Sequence, residues 1–161
     1  MTAPRIALRA FTSADDAALL SWVPDAVALE RIAGRTLTWP LTAEQLQGLR
    51  DEATYTPFTA HEPATPDVPV AHLEIVRLGP SEGRLARVVV DPARRGEGLG
   101  KPIVGAALDW AAAHGFTDVE LRVFADNTPA IRTYAAVGFT TSEPYPNDDR
   151  IVVLRCLLQD R

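Results

Sequence analysis

From Leu85 to Phe124 the chain passes through an apolar segment ending Val88-Val89-Val90, a turn with Gly96, Gly98 and Gly100, and a helical stripe. A second apolar segment, Val119 to Phe124, follows. Ile103, Val104, Ala107, Leu108 and Ala111 are spaced for one face of a helix that stops near Gly115. Strand, helix and strand in succession form a βαβ unit, whose two strands are parallel and whose crossover is right-handed. No other segment restricts the topology as strongly.

The flanking sequence adds strands of the other kind. Ile6 to Phe11 alternates as a strand, and Ser13 with Asp16 resembles an N-cap leading into a helix through Trp22. Asp25 to Ala33, stopped by Gly34, is a second short helix. Thr42-Ala43-Glu44-Gln45 is a capping box with Leu41 and Leu46 at the staple positions, which predicts a helix from about Ala43 to Glu52. Pro57, Pro63, Pro66 and Pro69 favour a strand and then an exposed loop. Val70 to Leu78 is a strand with His72 and Glu74 on one face, and Gly79 to Gly83 turns it into an antiparallel neighbour, Leu85 to Asp91. After the βαβ unit, Asn127 opens a helix that runs to Val137 and stops at Gly138. A hairpin around Phe139-Thr140-Thr141 and Ile151 to Leu157 closes the chain. The expected fold is α/β: a mixed, mostly antiparallel sheet with one parallel βαβ crossing and helices on both faces, in a single domain spanning residues 1–161.

Composition narrows the function. A net charge of −5 argues against a general nucleic-acid binder, which needs clustered Lys and Arg. Basic residues gather only around Arg84, Arg87, Arg94, Arg95 and Lys101, a local patch suited to a small anionic ligand. Cys156, the single cysteine, has no second thiol for a disulfide or a Cys-rich metal site; we expect it in the core and expect no metal. The absence of a long apolar run and of a signal-like N-terminus predicts a cytoplasmic protein with no membrane partner.

Glycines let the backbone approach a ligand and adopt positive φ, and the start of the following helix favours a phosphate. A plain turn would use the same residues, so register must decide. Counting G-x-G-x-x-G from Gly96 ends on Lys101 and from Gly98 on Ile103, so the dinucleotide fingerprint fails. A Walker loop needs Gly where Arg95 stands and Ser or Thr where Pro102 stands.

What remains, Arg95-x-x-Gly98-x-Gly100, resembles the coenzyme A pyrophosphate loop of the GNAT superfamily of N-acetyltransferases. The stretch from Val123 to Phe139, with Asn127, Ala130, Tyr134 and Gly138-Phe139, is similar to that family's second motif. Together they cover about Leu85 to Phe139; the first third of the chain carries no comparable motif. Pro102, in the first turn of the helix, departs from the family's usual residue and leaves the helix start unfixed. The resemblance implies acetyl-CoA as acyl donor. It places the cofactor against Arg95, Gly96, Glu97, Gly98, Leu99, Gly100 and Lys101, against Asn127, Ala130 and Tyr134, and against the backbone amides of Val88, Val89 and Val90.

Amine acylation needs a neutral amine, a polarised carbonyl and a proton for the leaving thiolate. The resemblance makes Tyr134 the acid; residue chemistry alone leaves it equally a packed aromatic. Asn127 is also an ordinary N-cap. For the base, Glu74, His72 and Glu82 are candidates and Glu74 is preferred, although each also fits a solvated polar face. The function expected is transfer of an acetyl group to a primary amine, the acceptor being a small molecule. The rivals are a protein or peptide N-acetyltransferase and a non-catalytic acyl-CoA sensor. Trp22, Trp39, Tyr55 and Phe58 either line the acceptor pocket or pack, and a homodimer is compatible with the composition.

Overall fold

The computed structural model describes residues 5–159. The chain runs β1 (Ala7–Ala10), a 3-10 turn at Ser13–Asp15, α1 (Asp16–Trp22), α2 (Ala26–Ala33), α3 (Ala43–Asp51), β2 (Tyr55–His61), β3 (Ala71–Arg77) and β4 (Glu82–Val90). A second 3-10 turn, Pro92–Arg94, leads to α4 (Gly100–Ala113), β5 (Asp118–Phe124), α5 (Thr128–Ala136), β6 (Thr140–Pro144) and β7 (Ile151–Leu157). The strands form one sheet in the order β1-β2-β3-β4-β5-β7-β6. Among the described strands only β4 and β5 are parallel; the other neighbours are antiparallel, as the sequence predicts.

Helices cover both faces because each strand alternates. Leu73, Ile75, Leu85, Val119 and Leu121 pack with Ile103, Val104, Ala107 and Leu108 of α4, and Tyr134 of α5 lies against the same core. On the other face Leu19, Trp22, Leu29, Leu46 and Leu49 of α1 to α3 pack with Phe11 and Val89. Fully buried side chains such as Leu46, Leu73 and Ile103 each contribute on the order of 2 kcal/mol of transfer free energy.

The helix starts refine the expectations. The first cap is Thr12, whose backbone N–H donates to Asp15 at 3.0 Å, one residue earlier than Ser13 and Asp16 suggest. Thr42 caps α3 and accepts from the Gln45 N–H, but the Gln45 side chain turns back to Thr38 and Pro40, so only half of the capping box forms. Pro102 is the third residue of α4. The first bond within that helix runs from Ile103 N–H to Leu99 O, so the proline removes a donor that had no helical acceptor.

Candidate active site

β4 and β5 pair over three positions only, Glu82 with Asp118, Gly83 with Val119 and Arg84 with Glu120. β4 continues to Val90 and β5 to Phe124, so the two strands separate and leave a gap in the sheet. A bulge controls how β4 enters that gap. Between the pairs His72–Val89 and Glu74–Ala86, β4 carries one residue more than β3, and Arg87 there has φ 49°, in the left-handed region. The extra residue reverses the alternation. Leu85 faces α4, whereas beyond the bulge Val88 and Val90 face α4 and Val89 faces α1 to α3. Asp91 N–H donates to Val70 O at 2.9 Å, so backbone alternation turns the N–H groups of Val90 and Val88 away from β3, toward the gap. Amides fixed in this way are suited to an oxygen that gains charge.

The glycine turn lies at the open end of the gap. Gly96 (φ 85°) and Gly98 (φ 75°) are left-handed, with open space where a Cβ would stand, so the backbone conformation itself calls for glycine. Gly100 is different: a Cβ there would lie 2.9 Å from Thr133 Cγ2, so it lets the start of α4 approach α5. The N–H groups of Gly98, Leu99, Gly100 and Lys101 donate to no carbonyl among the described residues. Arg95 and Lys101 are exposed beside them. Arg94 is engaged otherwise, with Glu62 at 2.8 Å and Glu97 at 2.7 Å, and braces the loop. Leu99 is buried in the core below the turn.

α5 brings its residues to the α4 side of the sheet. Asn127 caps it, its side chain accepting from Ala130 N–H at 3.4 Å, and Pro129 follows in the first turn. Ala130 and Tyr134 pack one turn apart against the core, and Tyr134 meets the Phe139 ring edge-on at 5.8 Å. Burial pushes the Tyr134 phenol up to about 12, which keeps its proton in place throughout the neutral range.

A turn whose amides donate to no described carbonyl, a gap between parallel strands and the Tyr134 helix thus lie together at one end of the sheet. The sequence profile of the acetyltransferase (GNAT) family matches residues 25–139. The chain belongs to the GNAT family. Among its relatives, a mycothiol acetyltransferase from Sanguibacter keddieii is 34% identical over 86% of this chain and 44% of its own length. One from Clavibacter sepedonicus is 31% identical over 83% of this chain and 42% of its own. The chain thus spans less than half the length of these relatives. The fold is similar to that of a spermidine N-acetyltransferase from Vibrio cholerae in complex with CoA and spermine (TM-score 0.78, 14% identity, 96% of each chain). It is also similar to that of aminoglycoside acetyltransferase AAC(6')-Ib with coenzyme A and kanamycin (TM-score 0.74, 18% identity, 94% of each chain).

On the opposite face of this GNAT sheet, a cleft of about 760 Å³ lies between α2, the open ends of β4 and β5, and the loop between β6 and β7. Tyr55 lines it. Trp22 and Phe58 are core residues, and Trp39 is exposed and outside the cleft lining. Glu74, preferred from sequence as the base, is fully buried and does not line the cleft. His72 Nε2 lies 3.0 Å from its Oε1, and Arg87 Nη2 donates to its Oε2 at 2.5 Å. Burial would raise its carboxyl, but the hydrogen bonds from His72 and Arg87 and the Arg87 charge outweigh that and hold it below the ordinary carboxylate range. Glu82, the first residue of β4, is exposed, its carboxylate taking the Ser81 N–H.

The basic cluster of the sequence therefore divides. Arg95 and Lys101 stay at the glycine turn, while Arg84 and Arg87 enter the cleft. Arg122 and Tyr145 also line the cleft and were missed from sequence. The alternation Val119-Glu120-Leu121-Arg122-Val123 carries the signal for Arg122, which must face away from α4. Nothing in the sequence places the Tyr145 loop. No cluster of three His, Cys, Asp or Glu side chains suited to a metal forms among the described residues, and no described helix is long and apolar enough to cross a membrane.

Proposed function

We propose that this GNAT chain transfers the acetyl group of acetyl-CoA directly to a primary amine of a small molecule. The observation that carries this is the opening of the β4–β5 pair after three positions, between the Gly98 to Lys101 amides, which donate to no described carbonyl, and the Tyr134 helix. Acetyl-CoA supplies the activated acyl thioester. The N–H groups of Gly98 to Lys101, with Arg95 and Lys101, hold its diphosphate, and Gly96, Glu97 and Leu99 shape the turn. Asn127 and Ala130 form the wall beside the pantetheine arm. The amides of Val88 and Val90 stabilise the carbonyl oxygen while Val89 anchors the strand from the other face.

As the C–N bond forms and the C–S bond breaks, Tyr134 donates its proton toward the departing sulfur, and the amine loses its proton to water in the cleft. The sequence assigns that last step to Glu74. Its burial and two partners favour a different duty, the positioning of Arg87 at the bulge. A cleft of about 760 Å³ suits a small acceptor. If two copies associate, the outer strand β6 offers an unpaired edge, and sedimentation velocity gives the oligomeric state.

The test follows thiol release from acetyl-CoA over a broad amine panel. Turnover is expected with at least one small amine, and Tyr134→Phe is expected to lose on the order of a hundredfold in kcat with unchanged CoA affinity. Tight CoA binding without thiol release from any amine or peptide would point to a sensor. Turnover of peptides alone would point to a protein acetyltransferase.

A further inference from the structure

Among the described residues, six arginines line the cleft, Arg31, Arg35, Arg84, Arg87, Arg122 and Arg150, against two carboxylates, Glu30 and Asp148. This imbalance occurs in a chain of net charge −5, so it is a feature of the cleft and not of the surface at large. Several of these guanidinium groups are paired, but the pairing acids Glu74, Glu120 and Asp126 are not themselves part of the lining.

The floor shows this in detail. Arg84, Glu120 and Arg155 lie abreast on β4, β5 and β7. Glu120 Oε1 accepts from Arg84 at 2.8 Å, and its Oε2 from Arg155 at 3.3 Å, while Arg155 also reaches Asp118 at 3.0 Å. Arg122, two residues further along the same face of β5, finds its nearest carboxylate oxygen at 3.8 Å, beyond hydrogen-bond distance. Three guanidinium groups thus share two carboxylates, and the surplus charge rests on Arg122. It donates to the Tyr145 hydroxyl at 3.2 Å, lies over that ring at 4.5 Å, and keeps 36% of its side chain exposed. It stands two residues beyond the last position at which β5 pairs with β4, at the mouth of the gap.

We propose that the acceptor is an amine bearing an oxyanion, a carboxylate or a phosphate, seated by Arg122 and Arg84 with the Tyr145 hydroxyl. This rests on the acetyl-transfer reading above. The guanidinium fork suits an oxyanion with two acceptor atoms, and the anion orients the amine toward the gap. Polyamines and aminoglycosides, the ligands of the two structural neighbours, meet like charge here and are disfavoured.

Acceptors matched except for the anion decide it: leucine against leucinamide and glucosamine 6-phosphate against glucosamine, with spermidine and kanamycin as polycations, all followed by thiol release from acetyl-CoA. In at least one pair the anionic member is expected to exceed its neutral partner in kcat/KM by about tenfold or more, and the winning pair names the oxyanion. Arg122→Gln should abolish that preference through the acceptor KM, leaving the KM for acetyl-CoA unchanged. If circular dichroism shows Arg122→Gln unfolded, Tyr145→Phe makes the same test by removing one hydroxyl. Preference for the neutral amines or polycations, or an anion preference that survives the substitution, overturns the proposal while the acetyl-transfer reading stands. No thiol release from any amine overturns both.

Discussion

Glu74, chosen from sequence for chemistry, forms a buried ion pair with Arg87. The pair holds a left-handed arginine at the bulge that re-aims Val88 and Val90. Arg87 also lies over the Tyr55 ring at 4.7 Å, which joins the bulge to the cleft wall. Removing the carboxylate leaves a buried guanidinium uncompensated, so Glu74→Gln is expected to destabilise the fold by about 3 kcal/mol or more. Urea unfolding measures this. A general base would behave differently: kcat would fall with stability intact, and the loss would ease at high pH where the amine arrives neutral. From sequence the two roles look alike, because a carboxylate two residues from a histidine on a strand fits either. The arginine that separates them is 13 residues away and reaches Glu74 only through the hairpin.

At the scale of elements, the βαβ unit was legible because its parts announce themselves locally: an apolar strand, glycines, a helical stripe and a second strand. The antiparallel hairpins were legible from turn residues in the same way. What local pattern could not provide was the position of β7 between β5 and β6, since Val119 to Phe124 and Ile151 to Leu157 meet only by long-range pairing. The cleft was hidden for the same reason, being assembled from α2, two strand ends and a late loop. The glycine turn can be tested alone. Gly98 has room for a methyl group but holds φ 75°, so Gly98→Ala meets backbone strain without a clash. It is expected to cost about 1 kcal/mol of stability and to raise the KM for acetyl-CoA severalfold, with the acceptor KM little changed. Initial rates at varied acetyl-CoA check the second part. An unchanged KM would separate the turn from the donor site.

Over the whole molecule, the helical layer of α1 to α3 is tied to the sheet by buried carboxylates as well as by apolar packing. Asp15 accepts from Arg9 on β1 at 2.7 Å, from the Thr12 N–H, and from the Thr59 hydroxyl on β2 at 2.8 Å. Burial alone would raise its carboxyl; these donors outweigh it and hold it at about 2. Glu74, on the neighbouring strand, is depressed by the same competition. The sign follows from proton counts. As pH falls below about 4, the unfolded chain takes up protons that the folded one refuses, so stability drops until the folded carboxyls titrate as well. For Asp15 the window runs from about pH 4 to about 2 and the loss is about 2 kcal/mol. Urea midpoints should therefore hold steady down to about pH 5 and then decline steeply. Asp15→Asn should be less stable at neutral pH by a similar amount and show a shallower decline in acid, since the donors from Arg9 and Thr59 remain and the proton to be gained is gone. An acid decline of equal slope in the variant would move the sensitivity to Glu74 and away from the joint between β1, β2 and α1.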